Sequence, residues 1–245
     1  MGGQRDMTMA GTTRVLDLSV DAHVHTGFAA GRDSVGVLVS AADRAGLAGL
    51  TFADQVGPDT TWLPAYADAV RRARRRTELI LRVAAEIEVV QPDGWLAWPA
   101  DLGDLEAISV AVSRLPYDDG PLAPREVRLL LAAGELTAEQ VAEIVVTATI
   151  KGVERAARYA PTQLARPLNL LTQVGLDDTV VTAGVLTALT DACRTTGTAM
   201  EISEAWRNPS PRIVAHLRES GVPLVAASDA RYAAEVGGWQ YLRRV

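Results

Sequence analysis

Histidine, cysteine and lysine are all scarce in this chain of 245 residues, which contains three histidines and one cysteine. Cys193 has no cysteine partner, so an internal disulfide and a cysteine metal cluster are excluded, and we expect it to be a small buried residue. Lys151, the only lysine, falls in a segment with helical periodicity, which leaves Schiff-base chemistry without a good candidate. Two of the three histidines, His23 and His25, are two residues apart.

Long apolar runs and an excess of positive charge are also missing. No stretch approaches the ~20 apolar residues that a membrane span needs, and residues 1–13 are polar and lack an apolar signal core. We therefore expect a cytoplasmic protein without a membrane partner. The formal net charge of -6 argues against nucleic acid as a partner, because phosphate backbones select basic surfaces.

The composition is that of an ordinary globular protein, with 48% hydrophobic residues, 22% charged residues and a mean hydropathy of +0.09. No linker-like stretch and no internal repeat divides the chain. We expect a flexible segment over residues 1–13 and a single domain over residues 14–245. The oligomeric state stays open.

Strand-like and helix-like segments alternate along the chain, which predicts an α/β fold and, most simply, a barrel-like parallel arrangement. The predicted strands span residues 15–25, 49–54, 79–89, 107–112, 163–166, 198–203 and 223–228. The predicted helices span residues 34–45, 61–76, 137–159, 179–195 and 210–220. Several of these helices begin with a residue that can cap a first turn.

His23 and His25 end the first predicted strand. Alternate residues on a strand face the same side, so both imidazoles point in one direction, and in a barrel that direction is the interior near the carboxyl end. Two converging neutral imidazoles are typical of a metal site. Two separately hydrogen-bonded histidines explain the same spacing equally well.

Two carboxylates strengthen the metal interpretation. Glu86 lies inside the predicted strand 79–89, and Asp229 follows the last apolar strand. A buried carboxylate is costly unless it is paired or bound to metal. Together with His23 and His25 they form a set of two nitrogens and two oxygens that suits one divalent ion of zinc, manganese or iron. Each carboxylate alone is also explained as a helix cap or a surface turn.

Several short motifs follow one another in a familiar order, and by them the chain resembles the polymerase and histidinol phosphatase (PHP) family. The family motifs D-x-H-x-H-T, A-x-x-x-G-L, T-D-H, G-x-E-x, E-I-N and S-D-A-H are matched or echoed by residues 21–26, 42–47, 53–55, 85–88, 201–203 and 228–231. The resemblance implies a distorted (β/α)7 barrel with a metal centre at the carboxyl ends of the strands. It places the metal on His23, His25, Glu86 and Asp229.

The departures from the family pattern that bear on metal binding remove histidines. The family has histidines where this chain has Gln55, Arg231 and Arg166, and another at Ser113, which a shift of one residue would move to Arg114. The resemblance therefore implies one complete metal site where family members hold up to three ions.

The chemistry that follows is hydrolysis by a metal-activated water. Asp54 or the free oxygen of Asp229 would accept the water proton, and Arg166 and Arg231 would stabilise the developing anion. The substrate would be a small anionic molecule, either a phosphoester or an ester or amide that bears a carboxylate. An equally weighted alternative is that the arginines only neutralise nearby carboxylates.

Two other function classes remain. One is a non-catalytic or regulatory barrel that keeps the fold. The other is an amidohydrolase, which also opens with H-x-H but needs later histidines at strand ends, whereas His216 falls in the helical segment 210–220. We expect His216 to be a surface or half-buried helix residue.

Aromatic residues after the predicted strands would form the rim of a barrel mouth. Trp206 and Tyr232 are the best candidates, because each follows a matched motif. We expect these two residues to contact substrate together with Gln55, Ser113 and the two arginines. Ordinary loop packing is the alternative for each aromatic ring.

Overall fold

The computed structural model describes residues 16–245, and the predicted segment 1–13 lies outside them. Seven strands alternate with seven helices along this range. The strands are β1 Val20–Val24, β2 Gly49–Val56, β3 Ile80–Glu88, β4 Ala107–Ala111, β5 Thr162–Leu164, β6 Ala199–Ser203 and β7 Leu224–Ala227. The helices are α1 Val35–Arg44, α2 Leu63–Arg74, α3 Pro124–Ala133, α4 Ala138–Ala156, α5 Asn169–Gln173, α6 Ala183–Thr196 and α7 Pro211–Ser220.

The seven strands form one parallel sheet in the order β1 to β7. The sheet nearly closes on itself, because the His25 backbone N–H donates to the Ala230 carbonyl at 2.9 Å and the Asp229 N–H donates to the His23 carbonyl at 3.0 Å. The prediction of an α/β fold of the (β/α)7 barrel type is confirmed. In such a barrel the carboxyl ends of all strands meet on one face, where side chains from distant parts of the sequence converge.

The predicted helices are confirmed with shifted ends, and side-chain caps explain where α1, α4, α6 and α7 begin. Ser34, Thr137 and Ser210 accept hydrogen bonds from backbone N–H groups in the first turns of α1, α4 and α7. Thr182 caps α6, so that helix begins at Ala183 and not near residue 179, where a separate short turn lies.

Other differences from the prediction also have local causes. The first strand starts at Val20, because the Asp17 side chain accepts from the Ser19 backbone at 2.9 Å and forms a turn. Helices α3 and α5 were not predicted. The first of these has clear signals that sequence reasoning overlooked, namely Pro124 in its first turn and Gly134 at its end with a φ of 73°. No helix in the described part of the chain is long and apolar enough to cross a membrane.

Gly31, in the loop after β1, lies close to the backbone of His25. Its N–H donates to the Thr26 carbonyl at 3.0 Å, and a Cβ added to Gly31 would lie 2.5 Å from the His25 carbonyl oxygen. We expect Gly31→Ala to lower the free energy of unfolding by about 1–3 kcal/mol, because the backbone cannot yield without moving the end of β1. Urea unfolding measures this effect.

Gly36, in α1, is the matched control, since a Cβ there would meet nothing within 4 Å. Gly36→Ala should stabilise the protein by about 0.4–1 kcal/mol, because alanine restricts the unfolded chain more than glycine does. Equal unfolding midpoints for the two variants would show that the close approach at Gly31 has no energetic weight.

Cys193 lies on α6 with no exposed surface, as the sequence predicts. Burial raises the pKa of its thiol to about 12. At pH 8 we expect native protein to resist thiol reagents and protein in urea to react within minutes, because only the unfolded thiol, with a pKa of about 8.5, forms appreciable thiolate. Fast modification of the folded protein would contradict this burial.

Candidate metal centre

Three of the predicted metal ligands converge at the carboxyl end of the barrel. His23 is on β1, His25 follows that strand, and Glu86 is on β3. One potential ligand atom from each lies within 4.8 Å of the others, and all three side chains are buried. The alternation along β1 brings both imidazoles to the same side, with ring centroids 4.9 Å apart.

His23 is oriented by a buried network behind it. Its Nδ1 lies 2.7 Å from Glu201 Oε1, an oxygen that also accepts from Ser109 Oγ at 3.1 Å and from Gln163 Nε2 at 2.7 Å. This network turns His23 Nε2 toward Glu86 Oε2, at 3.1 Å. A carboxylate behind a metal-binding imidazole commonly fixes its tautomer and ring orientation.

Sequence reasoning assigned no role to Glu201, Ser109 or Gln163. Glu201 and Ser109 have no exposed surface, and Gln163 is also buried. A usable signal was present at Glu201, because a carboxylate inside the apolar strand Ala199–Ser203 must find a buried partner. The contacts of Ser109 and Gln163 depend on neighbouring strands and have no comparable signal.

His25 lies between two carboxylates. Its Nε2 is 2.7 Å from Asp229 Oδ1, and its Nδ1 is 3.8 Å from Asp54 Oδ1. Both oxygens of Asp54 accept from Thr26, one from the backbone N–H at 2.8 Å and the other from the hydroxyl. Asp54 therefore fixes the turn after β1 as well as facing His25.

Arg166 lies at the centre of the cluster. Its Nη2 is 2.6 Å from Glu86 Oε1, and its Nη1 is 3.0 Å from Asp229 Oδ2. Gln55 Nε2 donates to the same Glu86 oxygen at 3.0 Å, and the indole N–H of Trp206 donates to the same Asp229 oxygen. The guanidinium thus bridges the two predicted carboxylate ligands, with only 7% of its side chain exposed.

Two residues of the cluster have strained backbones. Arg166 has a φ of 45° and Asp229 a φ of 55°, in the left-handed region that disfavours residues with a side chain. Each such conformation costs about 1–3 kcal/mol and persists only where contacts with the surrounding structure stabilise it by more than that. The strain indicates that packing and ion pairs hold both side chains against local preference.

The charges of the cluster reinforce one another. Burial opposes ionisation of Glu86 and Asp229, but Arg166 and the histidines hold the pKa of both carboxyls below the usual range. Burial likewise opposes protonation of the imidazoles, but Glu201 and Glu86 raise the pKa of His23, and Asp229 and Asp54 raise that of His25. The arrangement therefore favours ionised carboxylates in a buried site.

The residues fit a divalent ion. His23 Nε2, His25 Nδ1 and Glu86 Oε2 are buried and form no hydrogen bond of acceptable geometry with residues 16–245, although His23 Nε2 and Glu86 Oε2 lie 3.1 Å apart. Unpartnered buried polar atoms are costly, and an ion that accepts two nitrogens and one oxygen removes that cost. Asp229, the fourth predicted ligand, lies beside this set with Oδ1 on His25 and Oδ2 on Arg166 and Trp206.

The remaining predicted site residues lie around the mouth of the barrel. Arg231 and Tyr232 are exposed, and the Arg231 side chain forms no ion pair with any residue of the described range. Ser113 is half-buried, and its backbone N–H donates to Glu88 at 2.6 Å. His216 lies on α7 and is half-buried, as predicted.

Two cavities differ in their relation to the cluster. One of about 470 Å³ is lined by Glu86, Gln55 and Ser113 and so opens beside the candidate metal ligands. A larger one, of about 760 Å³, lies between α1 and α2 on the outside of the barrel. A bound substrate must lie within hydrogen-bonding distance of the groups that react with it, so the smaller cavity is the candidate substrate site.

Comparison with known proteins identifies the fold. No known family profile and no curated protein matches this chain. The candidate histidinol phosphatase HisK of Listeria monocytogenes, a solved structure, aligns over 89% of this chain and 97% of its own, with a TM-score of 0.62 and 13% identity. The chain has the fold of that structure, a (β/α)7-like barrel.

Two further solved structures align with lower scores. A candidate metal-dependent phosphoesterase of Bifidobacterium adolescentis covers 87% of this chain and 88% of its own, with a TM-score of 0.36 and 14% identity. A short-chain dehydrogenase of Oenococcus oeni covers 91% and 99%, with a TM-score of 0.31 and 11% identity. Both TM-scores are too low to indicate a shared fold. The barrel fold brings the histidines of the first motif together with Glu86 and Asp229 at its carboxyl face.

Proposed function

We propose that this protein is a divergent PHP-type hydrolase that uses one divalent metal ion, zinc, manganese or iron, to hydrolyse a small anionic substrate, foremost a phosphomonoester. The observation that carries the proposal is the set of unpartnered ligand atoms on His23, His25 and Glu86, buried within 4.8 Å of one another. Asp229 completes the proposed ligand set beside His25.

Arg166 supports a mononuclear centre. Its guanidinium contacts both Glu86 and Asp229, where a second cation would otherwise neutralise the two carboxylates. An arginine supplies one permanent charge and a planar fork that suits two carboxylates at once. A second divalent ion would be repelled both by the first ion and by this buried guanidinium.

In the proposed reaction, water attacks phosphorus, the P–O bond to the alcohol breaks, and the alcohol leaves with a proton. A bound divalent ion supplies Lewis acidity and lowers the pKa of its water to about 7. Asp54 would accept the water proton and pass it to the leaving alcohol, because both oxygens of Asp229 are engaged by His25, Arg166 and Trp206. Arg166 and Arg231 would stabilise negative charge on the phosphoryl oxygens. Gln55, Ser113, Trp206 and Tyr232 contact the substrate at the barrel mouth.

A second candidate function is a non-catalytic barrel, and one observation favours it. Arg166 directs both of its terminal nitrogens to protein carboxylates, which leaves fewer donors for a substrate. In that case the ion pairs neutralise the former ligands and stabilise the fold. An ester or amide substrate with a carboxylate is a further variant of the hydrolase, since a single metal suits acyl chemistry equally well.

Metal analysis and an activity panel separate these functions. We expect chelator-treated protein to take up one equivalent of manganese, zinc or iron, and the loaded protein to hydrolyse at least one member of a panel of phosphomonoesters, carboxylate-bearing esters and amides. A protein that takes up no metal and turns over no substrate in the presence of these ions is a binding or structural barrel.

A further inference from the structure

The cavity of about 470 Å³ beside the candidate metal centre is lined by both polar and apolar residues. It lies over the carboxyl ends of β2, β3 and β4 and shares Gln55 and Glu86 with the centre. A group bound there would be adjacent to whatever reacts at the metal ligands. We call this cavity, lined on its polar side by Gln55, Glu88, Ser113 and Arg114, the side pocket.

Glu88 is a rigidly held acceptor in the side pocket. It ends β3 two residues after Glu86, so both side chains leave the same face of the strand, about 7 Å apart along it. Its Oε1 accepts from the backbone N–H groups of Ser113 at 2.6 Å and Arg114 at 3.0 Å. Both of these bonds end on Oε1, which leaves Oε2 without a backbone donor.

Arg114 is a free cation at the same pocket. It is exposed and forms no ion pair with any residue between 16 and 245. Arg166 differs, because both of its terminal nitrogens pair with buried carboxylates, Glu86 and Asp229. An unpaired guanidinium is available for a carboxylate or phosphate of a ligand.

The side pocket is also lined by small apolar residues, Val56, Val90, Ala97 and Pro121. A volume of about 470 Å³ accommodates a compact organic group, at the lower end of ordinary ligand sites. The pocket therefore combines a short apolar surface with one fixed acceptor and one free cation.

We propose that the side pocket binds the alcohol part of the substrate and selects phosphomonoesters of hydroxyamino acids or dihydroxy acids. Their carboxylate pairs with Arg114, and their ammonium group or second hydroxyl donates to Glu88. The proposal rests on the hydrolase function, because it places the phosphoryl group at the metal centre. Hydrolysis adds one water across the P–O bond and releases inorganic phosphate and the hydroxyamino acid or dihydroxy acid.

Three matched compounds test the selection. O-phospho-L-serine has a carboxylate and an ammonium group, O-phosphoethanolamine lacks the carboxylate, and 3-phosphonooxypropionate lacks the ammonium group. Calorimetry measures binding without turnover, and phosphate release by manganese-loaded protein measures kcat/KM. We expect phosphoserine to be favoured over each of the other two by about 10-fold or more, because each loses one charged hydrogen bond.

Two variants assign the preferences to their residues. Arg114→Met should abolish the preference over phosphoethanolamine and keep the preference over 3-phosphonooxypropionate. Glu88→Gln should abolish the preference over 3-phosphonooxypropionate and keep the preference over phosphoethanolamine. The glutamine side chain should stay in place, because its amide oxygen can still accept from the backbone N–H groups of Ser113 and Arg114. Arg125→Met, an exposed arginine on α3, is the control and should leave every ratio unchanged.

The outcomes separate this proposal from the hydrolase function. Equal affinity for the three compounds, or preferences that survive in both variants, would overturn the side pocket even if the protein hydrolyses phosphomonoesters. Failure of phosphoserine to bind would overturn it as well. If each variant removes its own preference in the binding measurement, the side pocket is supported even without turnover. The absence of turnover would then count against the hydrolase function alone.

Discussion

His25→Ala protein should retain about a tenth or less of the bound manganese or zinc of the parent protein after exposure to a chelator-buffered metal solution. The substitution removes one of three buried ligand atoms and also the partner of Asp229 Oδ1, at 2.7 Å. Loss of orienting groups around a metal already costs 10- to 100-fold in affinity, and loss of a ligand should cost at least as much. Elemental analysis of the dialysed protein gives the result.

His216→Ala is the matched control for this substitution. It makes the same chemical change on α7, outside the cluster. We expect the full metal content and an unchanged far-ultraviolet circular dichroism spectrum. If His25→Ala and His216→Ala proteins bind the same amount of metal, the assignment of ligands is wrong.

Arg166→Met should destabilise the protein by about 3–5 kcal/mol, because it leaves Glu86 and Asp229 buried and unpaired. Divalent metal should restore more stability to this variant than to the parent protein, since a second cation can then neutralise the carboxylates. Urea unfolding with and without manganese measures both effects.

Arg71→Met is the control, because Arg71 also bridges two carboxylates, Asp68 at 2.5 Å and Asp104 at 2.8 Å, but on the surface. The Arg71 side chain is 45% exposed, and we expect a loss of about 1 kcal/mol or less with no dependence on metal. Similar losses for the two variants would mean that Arg166 does not compensate buried charge.

The barrel and the histidine pair were predictable because they depend on local pattern. The alternation of strands and helices indicates the fold class, and the period of two in β1 brings His23 and His25 to one side. Glu86 and Asp229 stand out as carboxylates within or directly after apolar strands. All four predicted ligands lie at the carboxyl face, although only three have free ligand atoms.

The contacts of the cluster were less predictable because they join strands that are distant in sequence. Arg166 bridges Glu86 and Asp229 because the barrel closes and because the backbone at residue 166 is left-handed. The bond between Trp206 and Asp229 arises in the same way, whereas the sequence suggested only an aromatic rim. Such contacts are properties of the assembled sheet, and no local pattern encodes them.

The number and position of bound metal ions test the central proposal most directly. Crystals of protein loaded with zinc or manganese, measured at the absorption edge of the metal, should show one anomalous peak in contact with His23, His25 and Glu86, and Arg166 should still contact Glu86. Elemental analysis should give one equivalent per chain. Two or more fully ligated ions, or no ion at these residues, would contradict the mononuclear centre.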